Sequence, residues 1–492
     1  MKTAPFSRLP QTQAMRCLLW LLLGLGCYLR LRQYLYGRCL YLDEANLAVY
    51  IIKSSWNDLF HPLWYGQQAP IGFVLAEKMM TLLFGPSEYA LRILPVFCMA
   101  ASVPMFHALA KKYLDSAFAL IALAFFIVSD KLIHYAATAK PYASDVAIVI
   151  GLYLTLEFVR SRKWSASALS LFAFVGALSL WFSFPAVFVL VSIGIATVFS
   201  LAVTGNRILL PRVLAVFAAW AASGAFCYLW AIGGHKTSSE LLMFWENAFA
   251  DGKNPFALFL AFLKNPGGIA LLFFGAAFFC GGIFVLWKKD KEATAFLLLP
   301  FFVTLAASAI KVYPFSDRLL LFLVPATYVF ISAAMQGCVK SRKFAWMLVF
   351  MAFGAFTSDS RAFILEGSNG MYRREEIKQP ILYFKNHKKN GDLLYIYYGA
   401  ISGYRYYSMI TALNHQRVIL GFPAREDRGL YSEELKQLRG YPRVWVLFSH
   451  VYPKKVEGLT EQDYMLKILS VFGKKLDSQK SPGAAVYLFD LS

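Results

Sequence analysis

The segment MRCLLWLLLGLGCYLRL, residues 15–31, is an apolar run that is soon followed by the charged stretch Tyr41-Leu-Asp-Glu-Ala-Asn46. An apolar run of this length predicts a membrane-spanning helix, because helices satisfy all their backbone groups within lipid. Asp43 and Glu44 then lie at a predicted membrane–water boundary. A carboxylate deep in hydrocarbon costs roughly 2.5–3.5 kcal/mol on insertion scales, so a pair beside the membrane is a first candidate for chemistry.

The whole chain has the composition of a membrane protein. Of its 492 residues 58% are hydrophobic, the mean hydropathy is +0.51, and apolar runs recur as far as about residue 356. These runs predict a polytopic α-helical membrane protein. The first run is followed by Arg32 and Tyr34 rather than by a small-residue cleavage site, and we interpret it as an uncleaved signal anchor.

The formal net charge of +20 raises the question of a nucleic-acid partner. The basic residues lie mostly in short loops between apolar runs, where they set topology, and nucleic-acid-binding signatures are absent from the sequence. No nucleic-acid partner is therefore predicted. The seven cysteines lie mainly in or beside apolar runs, and we interpret them as core residues, not as disulfides or a zinc site.

Short basic loops predict the side of the membrane on which each loop lies, because positive loops favour the cytoplasm. Together with the N-terminus, five basic loops are assigned to the cytoplasm: Lys111-Lys112, Arg160–Lys163, Asn206-Arg207 with Arg212, Lys288–Lys291 and Lys340–Lys343. Successive loops must alternate between the two sides of the membrane. The short run Ala69–Phe84 therefore cannot be a span, because it would place the first loop on the same side as the basic loops. We predict a juxtamembrane or re-entrant helix there on the outer face, with Glu77 and Lys78 forming an ion pair or facing solvent.

About eleven spans remain, and an odd number places the C-terminus outside. They are residues 15–31, 89–110, 115–131, 142–160, 165–181, 184–204, 209–232, 267–287, 293–310, 318–338 and 343–358. The chain is thus divided into a transmembrane domain, residues 1–358, and a soluble extracytoplasmic domain, residues 359–492.

The C-terminal domain alternates polar helices with short apolar strands, which predicts a small α/β layer. The predicted helices cover about residues 373–388, 401–412, 431–438 and 460–473. The predicted strands are Leu393–Tyr398, Arg417–Leu420, Val444–Phe448 and Ala485–Phe489.

The adjacent carboxylates of Asp43 and Glu44 suit two roles. Asp at an N-cap and Glu in the first turn favour the start of a helix through Leu47–Lys53. Alternatively Asp43 is a catalytic base. The two roles are compatible, because a cap fixes the backbone while the neighbouring carboxylate faces the site.

A second outer turn carries Lys140, Pro141, Tyr142 and Asp145 where one span ends and the next begins. Aromatic and basic residues at this depth are often membrane-interface anchors. Asp145, one turn into the next span, needs a partner, and we predict Lys140 or Arg318 for this role.

A third outer turn carries Tyr313 and Arg318. An arginine suits bidentate binding of a phosphate. The alternative is an arginine that snorkels from the membrane interface to water.

The first outer loop also contains His61 and the stretch Gln67-Gln68-Ala69-Pro70. His61 is a candidate for contact with substrate or a metal, although a single loop histidine is more often neither.

Together these stretches resemble the bacterial members of glycosyltransferase family 39, the protein-mannosyltransferase-like branch of the GT-C superfold, to which the lipid A aminoarabinose transferases are related. The matching features are Asp43-Glu44-Ala45, Gln68-Ala69-Pro70 before an apolar helix, Ser87–Arg92, Lys140-Pro141-Tyr142 and Tyr313-Pro314 with Arg318. The resemblance implies a polyprenyl-phosphate-linked sugar donor and transfer on the outer face with inversion. It also implies a first-loop aspartate as base, here Asp43, and juxtamembrane helices in the first outer loop.

Two departures bear on the chemistry. The aminoarabinose transferases have Glu-Lys-Pro-Pro where this chain has Gln67-Gln68-Ala69-Pro70, so a divalent metal ion at this place is in question. Relatives often carry a carboxylate at the position of Thr138.

The predicted function is therefore a glycosyltransferase of a bacterial inner membrane that acts on an acceptor hydroxyl of a lipid, glycan or protein. Asp43 and Glu44 are the catalytic candidates. The donor-phosphate candidates are Lys140, Arg318 and Tyr142, and the substrate-binding candidates are His61, Gln68, Asp145 and Tyr313. The alternatives are a transporter or flippase for a lipid-linked sugar and a scaffolding membrane subunit.

Overall fold

A computed structural model describes residues 12–205, 208–229, 244–338, 375–425, 427–456 and 458–492 of the chain. The predicted span 343–358, the loops Asn206-Arg207 and Lys340–Lys343, and the predicted domain boundary at residue 358 lie outside these ranges.

The N-terminal part is a helical bundle. Its helices are α1 Gln13–Leu35, α2 Leu42–Lys53, α3 Ile71–Phe84, α4 Ile93–Tyr113, α5 Ser116–Val128, α6 Asp130–Tyr135, α7 Tyr142–Ser161, α8 Ala166–Phe182, α9 Ala186–Thr204, α10 Leu210–Cys227, α11 Pro255–Lys264, α12 Leu272–Lys289, α13 Lys291–Ala309 and α14 Val324–Cys338. Eight helical segments in the described ranges are long and apolar enough to cross a membrane. The shorter apolar helices α5 and α8 occupy two further predicted spans. A polytopic helical membrane protein is confirmed.

α3 is too short to cross the membrane. It has 14 residues, which is about 21 Å of helix against a hydrocarbon core of about 30 Å. Its apolar side chains Phe73 and Val74 pack with Tyr50 of α2. α3 therefore supports the first loop.

Both predictions for Glu77 and Lys78, an ion pair or a position facing solvent, were wrong, because both side chains are buried and they do not pair. Lys78 Nζ donates to Ile51 O, Ile52 O and Ser54 O at 2.9, 3.0 and 2.8 Å, and so satisfies the carbonyl groups at the end of α2. Glu77 is fully buried, and neither of its carboxyl oxygens has a hydrogen-bond partner within the described ranges. Burial raises the pKa of Glu77 well above its usual value.

The C-terminal domain is a small α/β layer, as predicted. Its helices are α15 Lys378–His387, α16 Ile401–Ile410, α17 Gly429–Lys436 and α18 Glu461–Phe472, and its strands are β1 Leu393–Ile396, β2 Val418–Leu420, β3 Val444–Ser449, β4 Lys474–Ser481 and β5 Ala484–Asp490. The sheet order is β2-β1-β3-β5-β4. β1 is parallel to β2 and β3, whereas β5 is antiparallel to β3 and β4. β4 was not predicted.

The C-terminal domain packs directly on the loop that contains α2. Leu40, Ala45 and Val49 share one hydrophobic core with residues such as Ile377 and Trp445. Polar contacts reinforce this packing: the Tyr407 hydroxyl accepts from Leu40 N at 2.8 Å, Glu375 Oε2 accepts from Leu42 N at 3.1 Å, and Lys378 Nζ donates to Glu88 Oε1 at 3.0 Å. The domain and α2 therefore lie at the same end of the bundle.

The basic loops meet at the other end. Arg160 Nη2 pairs with Asp290 at 2.7 Å, and Lys289 Nζ donates to Tyr113 O at 2.8 Å. The 21-residue helix α4 connects the two ends: its N-cap residue Arg92 lies beside α2, and its last residue is Tyr113. This is about 31 Å of helix, the thickness of a bilayer core.

Candidate active site

α2 presents two carboxylates in its first turn. The N-cap residue is Tyr41, and its backbone N–H donates to Glu44 Oε2 at 3.0 Å, so Glu44 rather than Asp43 caps the helix. Consecutive helix residues point about 100° apart. The side chains of Asp43 and Glu44 therefore enter different surroundings.

Glu44 is fully buried and its carboxylate is saturated with donors. Arg38 Nη1 lies 2.7 Å from Oε2, and Arg92 Nη2 lies 3.2 Å from Oε1. The backbone N–H of Ala139 also donates to Oε1 at 2.8 Å. Burial alone raises the pKa of Glu44, but the two guanidinium groups and the N–H donors outweigh it and lower the pKa to about 2.

The two arginines connect this cluster to neighbouring loops. Arg38 Nη2 donates to Ala137 O at 3.3 Å and to Thr138 Oγ1 at 3.1 Å. Arg92 Nη1 donates to Arg38 O at 2.6 Å. The cluster therefore joins the loop before α2, the turn before α7 and the start of α4. Thr138, where relatives often carry a carboxylate, here accepts from an arginine.

Asp43 has a more open environment. Its Oδ2 lies 3.2 Å from Arg318 Nη2, and the two side chains are 21% and 25% exposed. The Arg318 guanidinium also lies over two aromatic rings, with Cζ 5.7 Å from the ring centroid of Tyr142 and 5.9 Å from that of Trp245. The rings hold the guanidinium beside Asp43.

Lys140 is buried next to this ion pair. Its Nζ donates to Gln67 Oε1 at 2.5 Å. Burial lowers the pKa of Lys140, the Asp43 carboxylate opposes that change, and Arg318 adds to it. Groups from three segments of the chain, namely α2, the turn before α7 and the segment from Asp317, therefore converge at one place.

Asp145 and Tyr313 lie near the same place, but the predicted partners of Asp145 were wrong. Arg318 pairs with Asp43, and Lys140 binds Gln67. Asp145 is 7% exposed, and its Oδ1 has no hydrogen-bond partner within the part of the chain that the structure describes. The hydroxyl of Tyr313 donates to Leu319 O at 3.0 Å, which fixes the turn before Arg318.

The other first-loop candidates lie at the surface. The side chains of His61 and Gln68 are exposed. It is Gln67, one residue earlier, that contacts Lys140. Neither Gln67 nor Arg38 was predicted, and the sequence signal that identifies them is weak: a polar residue beside Gln68, and an arginine just after the first span.

Comparison with solved structures identifies the fold. ArnT from Cupriavidus metallidurans in the apo state matches with a TM-score of 0.58 and 9% identity over 97% of this chain and 98% of that chain. The same protein bound to undecaprenyl phosphate matches with a TM-score of 0.57 and 10% identity, over 96% of this chain and 97% of that chain. This chain has the ArnT fold. The predicted GT-C architecture is confirmed.

A third match is more distant. The Archaeoglobus fulgidus oligosaccharyltransferase in complex with Zn and sulfate has a TM-score of 0.47 and 10% identity, over 87% of this chain and 67% of that chain. No protein-family model matches the sequence. No curated protein sequence matches it either.

The residues around Asp43 do not fit a divalent metal ion. Such an ion prefers carboxylate or imidazole ligands. Gln67 and Gln68 offer neutral amides, Glu44 is occupied by two arginines, and the His61 side chain is exposed. Within the described ranges no group of three His, Cys, Asp or Glu residues is placed to hold a metal.

Proposed function

We propose that the protein is an integral-membrane glycosyltransferase that moves a sugar from a polyprenyl phosphate to an acceptor hydroxyl. The observation that carries this proposal is the convergence of Asp43, Arg318 and Lys140 at the end of the bundle that the C-terminal domain covers. ArnT, which has the same fold, was crystallised with undecaprenyl phosphate. This supports a lipid phosphate as the donor here.

Asp43 is the proposed general base. A hydroxyl is a poor nucleophile, so Asp43 takes its proton while the acceptor oxygen forms a bond to the anomeric carbon. The bond between that carbon and the phosphate oxygen breaks, and its electron pair leaves with the polyprenyl phosphate. Because attack and departure occur on opposite sides of the carbon in a single displacement, the anomeric configuration is inverted.

Arg318 and Lys140 stabilise the departing phosphate. The leaving group gains negative charge, so it needs fixed cations rather than an acid. Arg318 offers two N–H groups in a plane, and Lys140 adds a point charge. Tyr142 supports the Arg318 guanidinium with its ring. A donor phosphate competes with Asp43 for Arg318, so donor binding frees the Asp43 carboxylate for the acceptor.

Glu44 has a positioning role in this scheme rather than a catalytic one. Both oxygens of its carboxylate accept hydrogen bonds from Arg38, Arg92 and backbone N–H groups. Its bond to Ala139 N fixes the residue next to Lys140. Glu44 therefore sets the distance between the base and the phosphate-binding lysine.

Asp145 and Tyr313 are proposed contacts of the donor sugar. The unpartnered Oδ1 of Asp145 is a hydrogen-bond acceptor beside the phosphate site, which suits a hydroxyl or amino group of the sugar. His61 and Gln68 stay predicted substrate contacts from exposed positions.

The reaction is proposed to take place on the outer face of a bacterial inner membrane. The clustering of Lys289, Arg160 and their neighbours at the opposite end of the bundle supports this orientation. Positive loops favour the cytoplasm, which puts α2 and the C-terminal domain outside.

The direct test uses the purified full-length protein in liposomes, with a panel of labelled polyprenyl-phosphate sugars and a bacterial envelope extract as acceptor. The expected result is a labelled product together with an equal amount of free polyprenyl phosphate. Donor that crosses the bilayer with its sugar–phosphate bond intact would instead show a transporter.

A further inference from the structure

A cavity of about 410 Å³ lies between the start of α2 and the C-terminal domain. Small-molecule sites have volumes of about 300–1,000 Å³. The cavity is lined by residues that include Tyr41, His450, Tyr452, Gln462, Lys480 and Tyr487. We propose that it binds a saccharide unit of the acceptor, an inference that rests on the proposed function.

The cavity lies at a place in the sheet that favours ligand binding. β3 is the central strand and ends at Ser449, and His450 follows immediately. In open α/β sheets, ligands bind just outside the carboxyl ends of the strands. The neighbouring strand β1 is parallel to β3, so its carboxyl end reaches the same edge.

His450 is held in an unusual backbone conformation. Its φ of 51° lies in the left-handed region, which a non-glycine residue adopts only where surrounding contacts impose it. Those contacts are present: Nδ1 bonds to Glu375 Oε1, and the ring packs edge-on against Tyr41 with centroids 5.2 Å apart. The wall of the cavity is therefore preorganised rather than a gap left between two domains.

The cavity is connected to the proposed base through the start of α2. Tyr41 lines the cavity, and Asp43 lies two positions further along, at most about 7 Å away between Cα atoms. Glu375, which holds His450, also accepts from Leu42 N. A saccharide seated beside Tyr41 thus lies next to the turn that carries the Asp43 carboxylate.

The lining has the chemistry of a saccharide site. Sugars combine apolar C–H faces with a rim of hydroxyl groups, and aromatic rings with polar tips match both. Tyr452 is 37% exposed, and the Arg425 guanidinium lies over one face of its ring with Cζ 4.4 Å from the centroid, so only the opposite face could contact a sugar. Gln462 Nε2 donates to the Tyr487 hydroxyl at 2.9 Å, and its amide oxygen is an acceptor for a sugar hydroxyl. Lys480 adds a cation, which suits a neutral or anionic saccharide better than a cationic one.

The test measures transfer by the full-length protein in liposomes to three envelope fractions: glycolipids, lipid-free glycans and delipidated proteins. Tyr452→Ala and Gln462→Ala should each raise the KM for the saccharide acceptor about tenfold and leave the donor KM unchanged. Tyr441→Ala is the matched control, since Tyr441 is 40% exposed in the same domain but does not line the cavity. It should behave as wild type.

Transfer to glycolipids or to lipid-free glycans, with the acceptor KM raised in the two cavity variants only, supports saccharide binding in the cavity. The fraction that accepts the sugar then shows whether the acceptor saccharide is part of a lipid or of a free glycan. Transfer to protein alone, or an unchanged acceptor KM in both cavity variants, would overturn the proposal that the cavity binds a saccharide. Neither result would contradict the proposed transferase activity. No transfer to any fraction overturns the transferase itself and, with it, this inference.

Discussion

The first turn of α2 carries two adjacent carboxylates with opposite surroundings. Glu44 is fully buried and accepts from two arginines and two backbone N–H groups, whereas Asp43 is 21% exposed and pairs with Arg318 at 3.2 Å. A buried charge is tolerated only when its lone pairs are satisfied. A base must instead keep a lone pair available to its substrate. Saturation by donors, rather than the type of residue, therefore distinguishes Glu44 from the proposed base Asp43.

The two clusters are also coupled. Ala139 donates to Glu44, and the next residue, Lys140, lies beside Asp43 and Arg318. The buried cluster around Glu44 therefore holds the turn that carries Lys140, the proposed phosphate-binding residue. We expect substitutions at Glu44 to change stability first, and substitutions in the Asp43 cluster to change transfer first.

The largest stability effect is expected from Glu44→Ala. It leaves the buried guanidinium groups of Arg38 and Arg92 without their shared partner, which costs about 3–5 kcal/mol. Asp43→Ala removes a partly exposed pair and should cost roughly 1 kcal/mol or less. Denaturant unfolding of the protein in detergent measures both. Equal losses in the two variants would remove the distinction between the clusters.

Lowering the pH should destabilise the folded protein through the same Glu44 cluster. The pKa of Glu44 is about 2 in the folded protein, against 4.5 for an unperturbed glutamate. The unfolded chain therefore binds the proton more readily, so this part of the stability is complete above about pH 4.5 and is lost as the pH falls towards about 2. Between about pH 6 and about pH 3, the free energy of unfolding should fall by roughly 2 kcal/mol through this group, a loss that Glu44→Gln lacks. An equal fall in the free energy of unfolding in wild type and Glu44→Gln would contradict the assignment of this pH dependence to Glu44.

Within the Asp43 cluster, Arg318→Ala should lower the rate of transfer about 100-fold with little effect on unfolding. Loss of one preorganised donor to a developing negative charge typically has this size. Lys311→Ala is the control, because Lys311 lies in the same turn but forms an exposed pair with Asp251. A similar loss in both variants would show a general effect of positive charge at this face.

The smallest effect is expected from Gln67→Ala. It removes the hydrogen bond that positions Lys140 and should raise the KM for the donor roughly threefold to tenfold. Gln68→Ala is the control from the neighbouring exposed position. Steady-state kinetics with donor and acceptor varied separately measure this, and a change in the acceptor KM alone would argue against the assignment.

Sequence patterns predict the helices and most of the strands because each has an apolar face or run. β1, β2, β3 and β5 lie where short apolar runs predict them, whereas the polar strand β4 lies at the sheet edge and carries no such signal. Edge strands tolerate charged residues because one side is not paired. An apolar-run search therefore misses them.

The site was predictable only in part. Polar residues at the ends of spans on one face are expected to meet, and Asp43, Lys140 and Arg318 do so. The pairing of Glu44 with Arg92 depends on how distant segments pack, which no local pattern encodes. Gln67 rather than Gln68 contacts Lys140, and this choice depends on the conformation of the preceding loop, in which Tyr65 has a φ of 59°.

The most direct test of the distinction between the two carboxylates is Asp43→Asn, measured by single-turnover transfer and by unfolding in the same preparation. The side chain keeps its size and loses its basicity, so the rate of transfer should fall at least about 100-fold while the unfolding midpoint stays near that of wild type. Transfer at a rate close to wild type in this variant would contradict the assignment of Asp43 as the base.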